Sequence, residues 1–233
     1  MAMNEDQMTS VGADLWTVYE PEFRMLGLKL GTRMTIVRLP QGTLLLHSPI
    51  AISSALASAI DALGPVGHIV APNLYHHVYA GEAQKRWPKA KLHGASGLNR
   101  KRRDLRVDSV LGKDALESDW QGTLEPVSIK GCLLGETVLV HSPTRTVISA
   151  DLFENFMAMD HLPTRLYLQA SGVWQQPGWS RFLRVMYRDH RAARRSVDAL
   201  LEHDFEGAII AHGEPVTHGA KDAVRRTFEF LKA

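Results

Sequence analysis

The chain has a single cysteine, Cys132, among its 233 residues. One cysteine cannot form an intrachain disulfide, and it cannot build a cysteine-rich zinc cluster. Any metal ion must therefore be held mainly by histidine and carboxylate side chains. A lone thiol also fits a reducing compartment, so we predict a cytoplasmic location.

The sequence also lacks a long apolar run. No segment approaches the roughly 20 apolar residues that a membrane-spanning helix needs. The first dozen residues, Met1 to Gly12, carry Glu5 and Asp6 where a signal peptide has a cationic start and an apolar centre. We expect residues 1–12 to be a flexible N-terminus. Residues 13–233 can bury a substantial core, and we predict that they form one domain.

An excess of charge of one sign is missing as well, because 27 basic residues face 25 acidic ones. This balance gives no reason to expect nucleic acid as a partner. Arginines line one side of the helical pattern at 181–203, which leaves open a solvated face or a surface for anions or RNA. No aromatic residues are interleaved with them, so we favour the solvated face. We expect a small-molecule substrate and no membrane, and leave the oligomeric state open.

Short β-branched runs alternate with helical spacings along the chain. Strands are predicted at 16–19, 34–39, 44–48, 68–71, 91–93, 120–127, 131–140, 146–150 and 207–211, and helices at 53–63, 82–87, 181–203 and 221–231. Residues 153–179 fit neither pattern, and we expect them to form a covering loop. Its Tyr167, Trp174 and Trp179 can line an apolar pocket or belong to the core. The alternation indicates an α/β protein.

Polar residues follow three of the apolar runs, at the point where each run ends. The adjacent pair His76 and His77 follows the run that begins at Ile69, Asp151 ends the run from Val147, and His212 ends the run from Ala208. Imidazole and carboxylate groups are suitable ligands for zinc, iron(II) or manganese. The three run ends therefore suggest one shared site.

The order of these elements resembles the metallo-β-lactamase fold. The family's H-x-H-x-D-H-x-G-G loop has its counterpart in residues 73–81, NLYHHVYAG, which match it in position and not in letters. The family's G-H-T-P-G segment corresponds to residues 131–135, GCLLG, followed by Asp151 at the family's bridging aspartate and His212 at its terminal histidine. The segments at 73–81, 141–146, 151–155 and 210–213 are most similar to a branch of metallo-β-lactamase-like proteins that is a domain of unknown function.

The resemblance implies an αββα sandwich, with two sheets packed face to face and helices outside. It also implies a divalent ion, zinc first and iron or manganese as alternatives. The predicted metal ligands are His76, His77, Asp151 and His212. Glu136 and Asp151 are the predicted catalytic residues, and additional ligands or supporting residues are predicted at Asn73, Glu136, Cys132 and His47.

Several of these positions have simpler interpretations. Adjacent residues of a strand point to opposite faces, so only one of His76 and His77 is expected to face the site. Asp151 can cap a turn, and Cys132 can be a small buried hydrophobic residue. Asn73, Tyr75 and Cys132 replace donors of the family pattern, so a site with two metal ions would lack several ligands. We therefore expect a non-standard site with one ion, or a site that has lost its metal.

Three functions fit these observations. The first is a metal-dependent hydrolase of a small ester, lactone, thioester or phosphoester, which uses metal-activated water. The second is a degenerate relative that binds a ligand or partner without chemistry. The third is an iron-dependent oxidoreductase.

Overall fold

The computed structural model describes residues 8–231, and its strands form two main sheets and one small hairpin. The strands are β1 (Thr9–Gly12), β2 (Leu15–Glu20), β3 (Arg24–Met25), β4 (Leu28–Lys29), β5 (Thr32–Arg38), β6 (Leu44–His47), β7 (Val66–Ala71), β8 (Lys91–Gly94), β9 (Ser109–Val110), β10 (Leu124–Ser128), β11 (Thr137–His141), β12 (Thr146–Ile148) and β13 (Gly207–Ile209). The seven-stranded sheet has the order β1-β2-β5-β6-β7-β8-β9, and the four-stranded sheet the order β10-β11-β12-β13. β3 pairs only with β4.

Helices cover the outer faces of the two sheets. They are α1 (Ser54–Leu63), α2 (Ala80–Arg86), α3 (Leu98–Lys101), α4 (Leu162–Ser171), α5 (His190–Glu202) and α6 (Ala220–Thr227), with short 3-10 turns at Ser118–Trp120, Ser142–Thr144 and Arg181–Met186. The side chain of Ser53 caps α1 by accepting a hydrogen bond from the Leu56 N–H. None of the helices in residues 8–231 is long and apolar enough to cross a membrane.

Alternation of side chains along the strands produces the layers. On β6, Leu44 and Leu46 pack outward against α1, whereas Leu45 packs into the layer between the sheets. On β11, Leu139 faces that inner layer, while Val138 packs outward with the residues of α5 and α6. Because successive strand residues point to opposite faces, one apolar run supplies two layers of core. The predicted αββα sandwich is confirmed.

Three details differ from the expectations. Residues 9–12, expected to be flexible, form β1 and pair with β2, while residues 1–7 of that segment lie outside the described range. The expected covering loop contains α4. The single helix expected at 181–203 is two elements, because the Asp189 side chain caps α5 by accepting from the Ala192 N–H. The N–H groups of Arg188 and Asp189 donate to the Gly131 carbonyl, which holds the break between the two elements.

Candidate metal site

The loops that follow β7, β12 and β13 meet at one edge of the sandwich. β12 and β13 are parallel, so their carboxyl ends lie side by side and bring Asp151 next to His212. His76 lies in the loop after β7. The three side chains are mostly buried, with exposed fractions of 7% for His76, 13% for Asp151 and 4% for His212. These residues form the only group of three or more potential metal ligands in residues 8–231.

The three donor atoms face one another. The Nε2 atoms of His76 and His212 are 3.2 Å apart. The Asp151 Oδ1 atom lies 3.3 Å from the first nitrogen and 3.4 Å from the second. The distances therefore describe a nearly equilateral triangle of two imidazole nitrogens and one carboxylate oxygen.

Each histidine is anchored through its other ring nitrogen. His212 Nδ1 donates to the Gly31 carbonyl at 2.7 Å, so in the neutral ring Nε2 carries the lone pair that points into the triangle. His76 Nδ1 lies 2.8 Å from the Ser48 hydroxyl. Metal-binding histidines are commonly oriented in this way by a second hydrogen bond. Ser48 and Gly31 were not predicted, because only the folded chain brings them to the site.

Asn73 shapes the loop and holds the carboxylate. Its Oδ1 accepts from the N–H groups of Tyr75 and His76, at 2.8 and 2.7 Å, which turns the chain sharply after β7. Its Nδ2 donates to Asp151 Oδ2 at 2.8 Å and to Glu136 Oε2 at 3.2 Å. One asparagine therefore aims His76 at the triangle and leaves Asp151 Oδ1 free to face the two histidines.

Glu136 is buried, with 4% of its surface exposed, and it accepts hydrogen bonds from the backbone. Its oxygens accept from the N–H of Ala150 at 2.7 Å and from the N–H of Asp151 at 2.9 Å, as well as from Asn73. Burial, together with the charge of Asp151, raises the pKa of Glu136 to about 8. Through these contacts Glu136 positions the backbone of Asp151.

The charges of the triangle depend on one another. Burial alone would raise the pKa of Asp151, but the charge of His76 and the hydrogen bonds from both histidines outweigh it and lower that pKa. Burial would likewise lower the pKa of His212, and its contacts with Asp151 raise it instead. The pocket therefore favours an ionised Asp151 facing positive charge, whether from a proton or from a metal ion.

The structure separates His77 and Cys132 from the triangle. His77 Nδ1 lies 3.1 Å from an Arg102 nitrogen, and burial together with Lys101 and Arg102 lowers the pKa of His77. Cys132 pairs through its backbone with Tyr187, and burial raises the pKa of its thiol to about 11. Of the four predicted ligands, His76, Asp151 and His212 come together and His77 does not.

His47 lies on β6 close enough to His76 for their charges to interact. It is 1% exposed, and neither ring nitrogen has a hydrogen-bond partner within the described residues. Burial, reinforced by His76, lowers the pKa of His47 to about 3. An unpaired buried imidazole lowers the free energy of unfolding, because its ring nitrogens lose water without gaining a protein partner.

Replacing His47 by leucine is expected to raise the free energy of unfolding of metal-free protein by about 1–3 kcal/mol at neutral pH, because no buried polar atom stays unpaired. Because the pKa of His47 is lower in the folded state than in the unfolded state, the unsubstituted protein loses stability as the pH falls from about 6.5 toward the folded pKa. The stability gained by the leucine substitution should therefore grow in acid. Urea unfolding at two pH values measures both effects. His218→Leu, at an exposed histidine, is the control. A destabilised His47→Leu protein would mean that the imidazole has a partner.

An apolar cavity of about 310 Å³ opens above the triangle, with Asp151 and His212 in its wall. The β3–β4 hairpin, the Tyr167 ring of α4 and the Trp179 ring contribute to its lining, whereas Trp174 packs in the adjacent core. Glu154 also lines the cavity, and its Oε2 atom is buried without a hydrogen-bond partner in residues 8–231. Burial raises the pKa of Glu154 to about 7, with His212 opposing and Asp151 adding to the shift. Sequence reasoning missed Glu154, since nothing in DLFEN distinguishes it.

The donor set fits a single divalent ion. Ligands at about 2.0–2.2 Å from a tetrahedral ion lie about 3.3–3.6 Å from one another, and the three distances of the triangle are close to that range. Two imidazoles and one carboxylate are also a donor set of catalytic zinc sites. Three protein ligands would leave at least one coordination position for water or substrate.

Comparison with known proteins agrees with the observed fold. Residues 13–98 match a family model described as Domain of unknown function (DUF4336), and no curated protein is significantly similar to the chain in sequence. A metallo-β-lactamase from Pontibacter korlensis superimposes with a TM-score of 0.66 at 14% identity, covering 97% of this chain and 98% of that one. Metallo-β-lactamases from Hirschia baltica (TM-score 0.63, 13% identity, 97% and 98% covered) and Erythrobacter litoralis (0.62, 14%, 96% and 91%) are similar too. The chain therefore has the metallo-β-lactamase fold, and residues 13–98 are similar to a domain of unknown function.

Proposed function

We propose that the protein is a metal-dependent hydrolase that works with one divalent ion held by His76, Asp151 and His212. The observation that carries the proposal is the triangle of donor atoms, which lie within 4.8 Å of one another. Hydrogen bonds to the three ligands also support the proposal, since Ser48, Gly31 and Asn73 orient one ligand each. The fold is shared with metallo-β-lactamases, whose name describes a metal-dependent activity of those proteins.

An ion with an open coordination position lowers the pKa of water and polarises a carbonyl, which makes hydrolysis possible near neutral pH. The chain's own residues then have separate tasks. We assign proton transfer to Glu154, because its side chain lines the cavity, its Oε2 atom has no hydrogen-bond partner among the described residues, and its pKa of about 7 suits an acid–base group at neutral pH. Glu136 keeps the backbone of Asp151 in place, and Asp151 acts as a ligand.

Zinc is our first choice of metal, because two histidines and a carboxylate with an open position are typical of catalytic zinc. The same donor set suits iron(II), and manganese is a third option. An iron-dependent oxidoreductase therefore remains the alternative chemistry. We also propose a small-molecule substrate, no nucleic-acid partner and a cytoplasmic location, the last supported by the free thiol of Cys132.

Metal analysis of protein purified without added metal tests the proposal. We expect about one ion per chain, and hydrolysis of simple activated esters, thioesters or lactones that stops after treatment with a chelator and returns with zinc. Asp151→Ala and His212→Ala should lose both the ion and the activity. Iron with no hydrolysis would favour the oxidoreductase. Absence of any ion after metal-replete expression would overturn the proposal and favour a binding protein with a hydrogen-bonded triangle.

A further inference from the structure

The lining of the cavity above the triangle indicates the chemical class of the substrate, which the three donor atoms alone do not. None of the described residues that line it is a lysine or an arginine, and its only charged members are Asp151, Glu154 and His212. Most of its wall is aliphatic or aromatic. A phosphate or a free carboxylate lying along this wall would leave water without a lysine or arginine to pair with, which is costly.

The β3–β4 hairpin provides a second, independent observation. Its two-residue turn consists of Leu26 and Gly27, with φ angles of 50° and 82°. Turns with two positive φ values strongly favour Asn-Gly, and a leucine in the left-handed region is strained. Leu26 is nonetheless present, 98% exposed, and lines the cavity.

The hairpin is apolar on the side that meets the cavity. Met25, Leu28 and Leu30 join Leu26 in its wall. β3 and β4 pair with each other and with neither main sheet, and Met25, Leu28 and Leu30 also pack in the cluster of Phe156, Leu168 and Val173. Leu26 lies outside that cluster. An exposed leucine at a strained position is explained if an apolar ligand covers it.

We infer that the cavity binds the aliphatic chain of an uncharged acyl compound, such as a neutral ester, thioester or lactone, with the reacting carbonyl at the triangle and the chain against the β3–β4 hairpin. The reaction named here rests on the proposed hydrolase function. In it the bond between the acyl carbon and the leaving oxygen or sulfur breaks, the oxygen of water joins the acyl carbon, and a proton passes to the leaving group. No oxidant or reductant is needed.

Binding to chelator-treated protein tests the ligand class without any reaction. Isothermal titration calorimetry with hexanol, octanol and octanoate should show octanol binding more tightly than hexanol, by up to about fourfold per methylene. Octanoate should bind at least about tenfold more weakly than octanol, because its carboxylate would lose water in a cavity whose described lining contains no lysine or arginine. Equal binding of octanol and octanoate, or no binding of octanol, would overturn the inference.

Leu26→Asn gives the matched variant, because asparagine tolerates the left-handed region and should not disturb the fold. We expect it to weaken octanol binding by about fivefold, while Leu116→Asn, at an exposed leucine outside the cavity, leaves it unchanged. An octanol affinity unaffected by Leu26→Asn would contradict the inference.

Kinetics with metal-loaded protein separate this inference from the proposed function. Para-nitrophenyl esters from acetate to octanoate should show kcat/KM rising with chain length, and Leu26→Asn should flatten that rise. Hydrolysis at a rate independent of chain length would keep the proposed function and overturn the inference. Octanol binding without hydrolysis of any ester would overturn the proposed function and leave the aliphatic ligand class standing.

Discussion

His76→Ala will remove the bound ion and the hydrolytic activity, whereas His77→Ala, one residue further along, will keep both. The two histidines are chemically identical neighbours, so the pair controls for loss of an imidazole in this loop. His76 Nε2 lies 3.3 Å from Asp151 Oδ1 and 3.2 Å from His212 Nε2, while His77 is directed to Arg102. Only the first substitution takes a donor atom from the triangle.

The expected effects are large. Changes to residues that merely support a ligand typically cost about 10–100-fold in metal affinity, so loss of a ligand should exceed about 100-fold. Activity should fall on the order of 10³-fold, the scale on which electrostatic stabilisation of a transition state is lost. Elemental analysis and competition with a coloured chelator measure the ion, and initial rates measure the activity.

His77→Ala still removes a buried ring, so its stability must be recorded beside its metal content. Urea unfolding separates the two effects, because a destabilised but folded His77→Ala protein should still bind one ion per chain. Equal loss of metal from the two variants would mean that His77 also serves the ion. Retention of metal by His76→Ala would remove His76 from the ligand set.

The alternation of apolar residues predicts an α/β protein and the family resemblance implies the sandwich, but neither could assign the two histidines. In a regular strand His76 and His77 would point to opposite faces, and neither position lies in a strand. The direction of His76 is set by Asn73 Oδ1, which accepts from two successive N–H groups of the loop. Position in the sequence therefore locates the site, while a local hydrogen bond selects the ligand.

The other differences have the same origin in contacts between distant parts of the chain. The run at 131–140 reads as one strand, yet β11 begins at Thr137, because its pairing with β10 ends at Ser128 opposite Thr137, and Cys132 instead forms an isolated bridge with Tyr187. Helical spacing continues across 181–203, but the Gly131 carbonyl accepts from Arg188 and Asp189 and interrupts it. The raised pKa of Glu154 comes from burial and from the charge of Asp151, both of which depend on the folded chain. A pattern along the sequence contains none of these pairings.

Asn73→Asp will destabilise the metal-free protein by about 3–5 kcal/mol at neutral pH, the usual cost of an uncompensated buried charge. The orientation of the Asn73 amide follows from its contacts, since Oδ1 accepts from two N–H groups and Nδ2 must then face the carboxyl groups. Aspartate keeps the two accepted bonds. It replaces the donor that lies 2.8 Å from Asp151 and 3.2 Å from Glu136 with an acceptor oxygen.

The loss should depend on pH in a defined direction. Two neighbouring carboxyl groups and burial raise the folded pKa of the new aspartate above its unfolded value of about 3.9. Below that value the new group is protonated in both states, can donate a hydrogen bond, and costs little. As the pH rises above about 4, the unfolded state ionises more easily, so the destabilisation grows until the folded pKa is passed. Urea unfolding across this range measures it, with Asn99→Asp on the exposed surface of α3 as the control.

A divalent ion should reverse the effect, because an additional carboxylate beside Asp151 strengthens the attraction for a cation. Zinc added to Asn73→Asp should therefore recover more stability than zinc added to the unsubstituted protein, by the linkage between binding and folding. If the triangle is only a hydrogen-bonded network, zinc will stabilise neither protein and the loss at neutral pH will stay. Equal stability of Asn73→Asp and Asn99→Asp at every pH would contradict the role assigned to the Asn73 amide. The same titration thus tests both the arrangement of the carboxyl groups and the presence of a metal site.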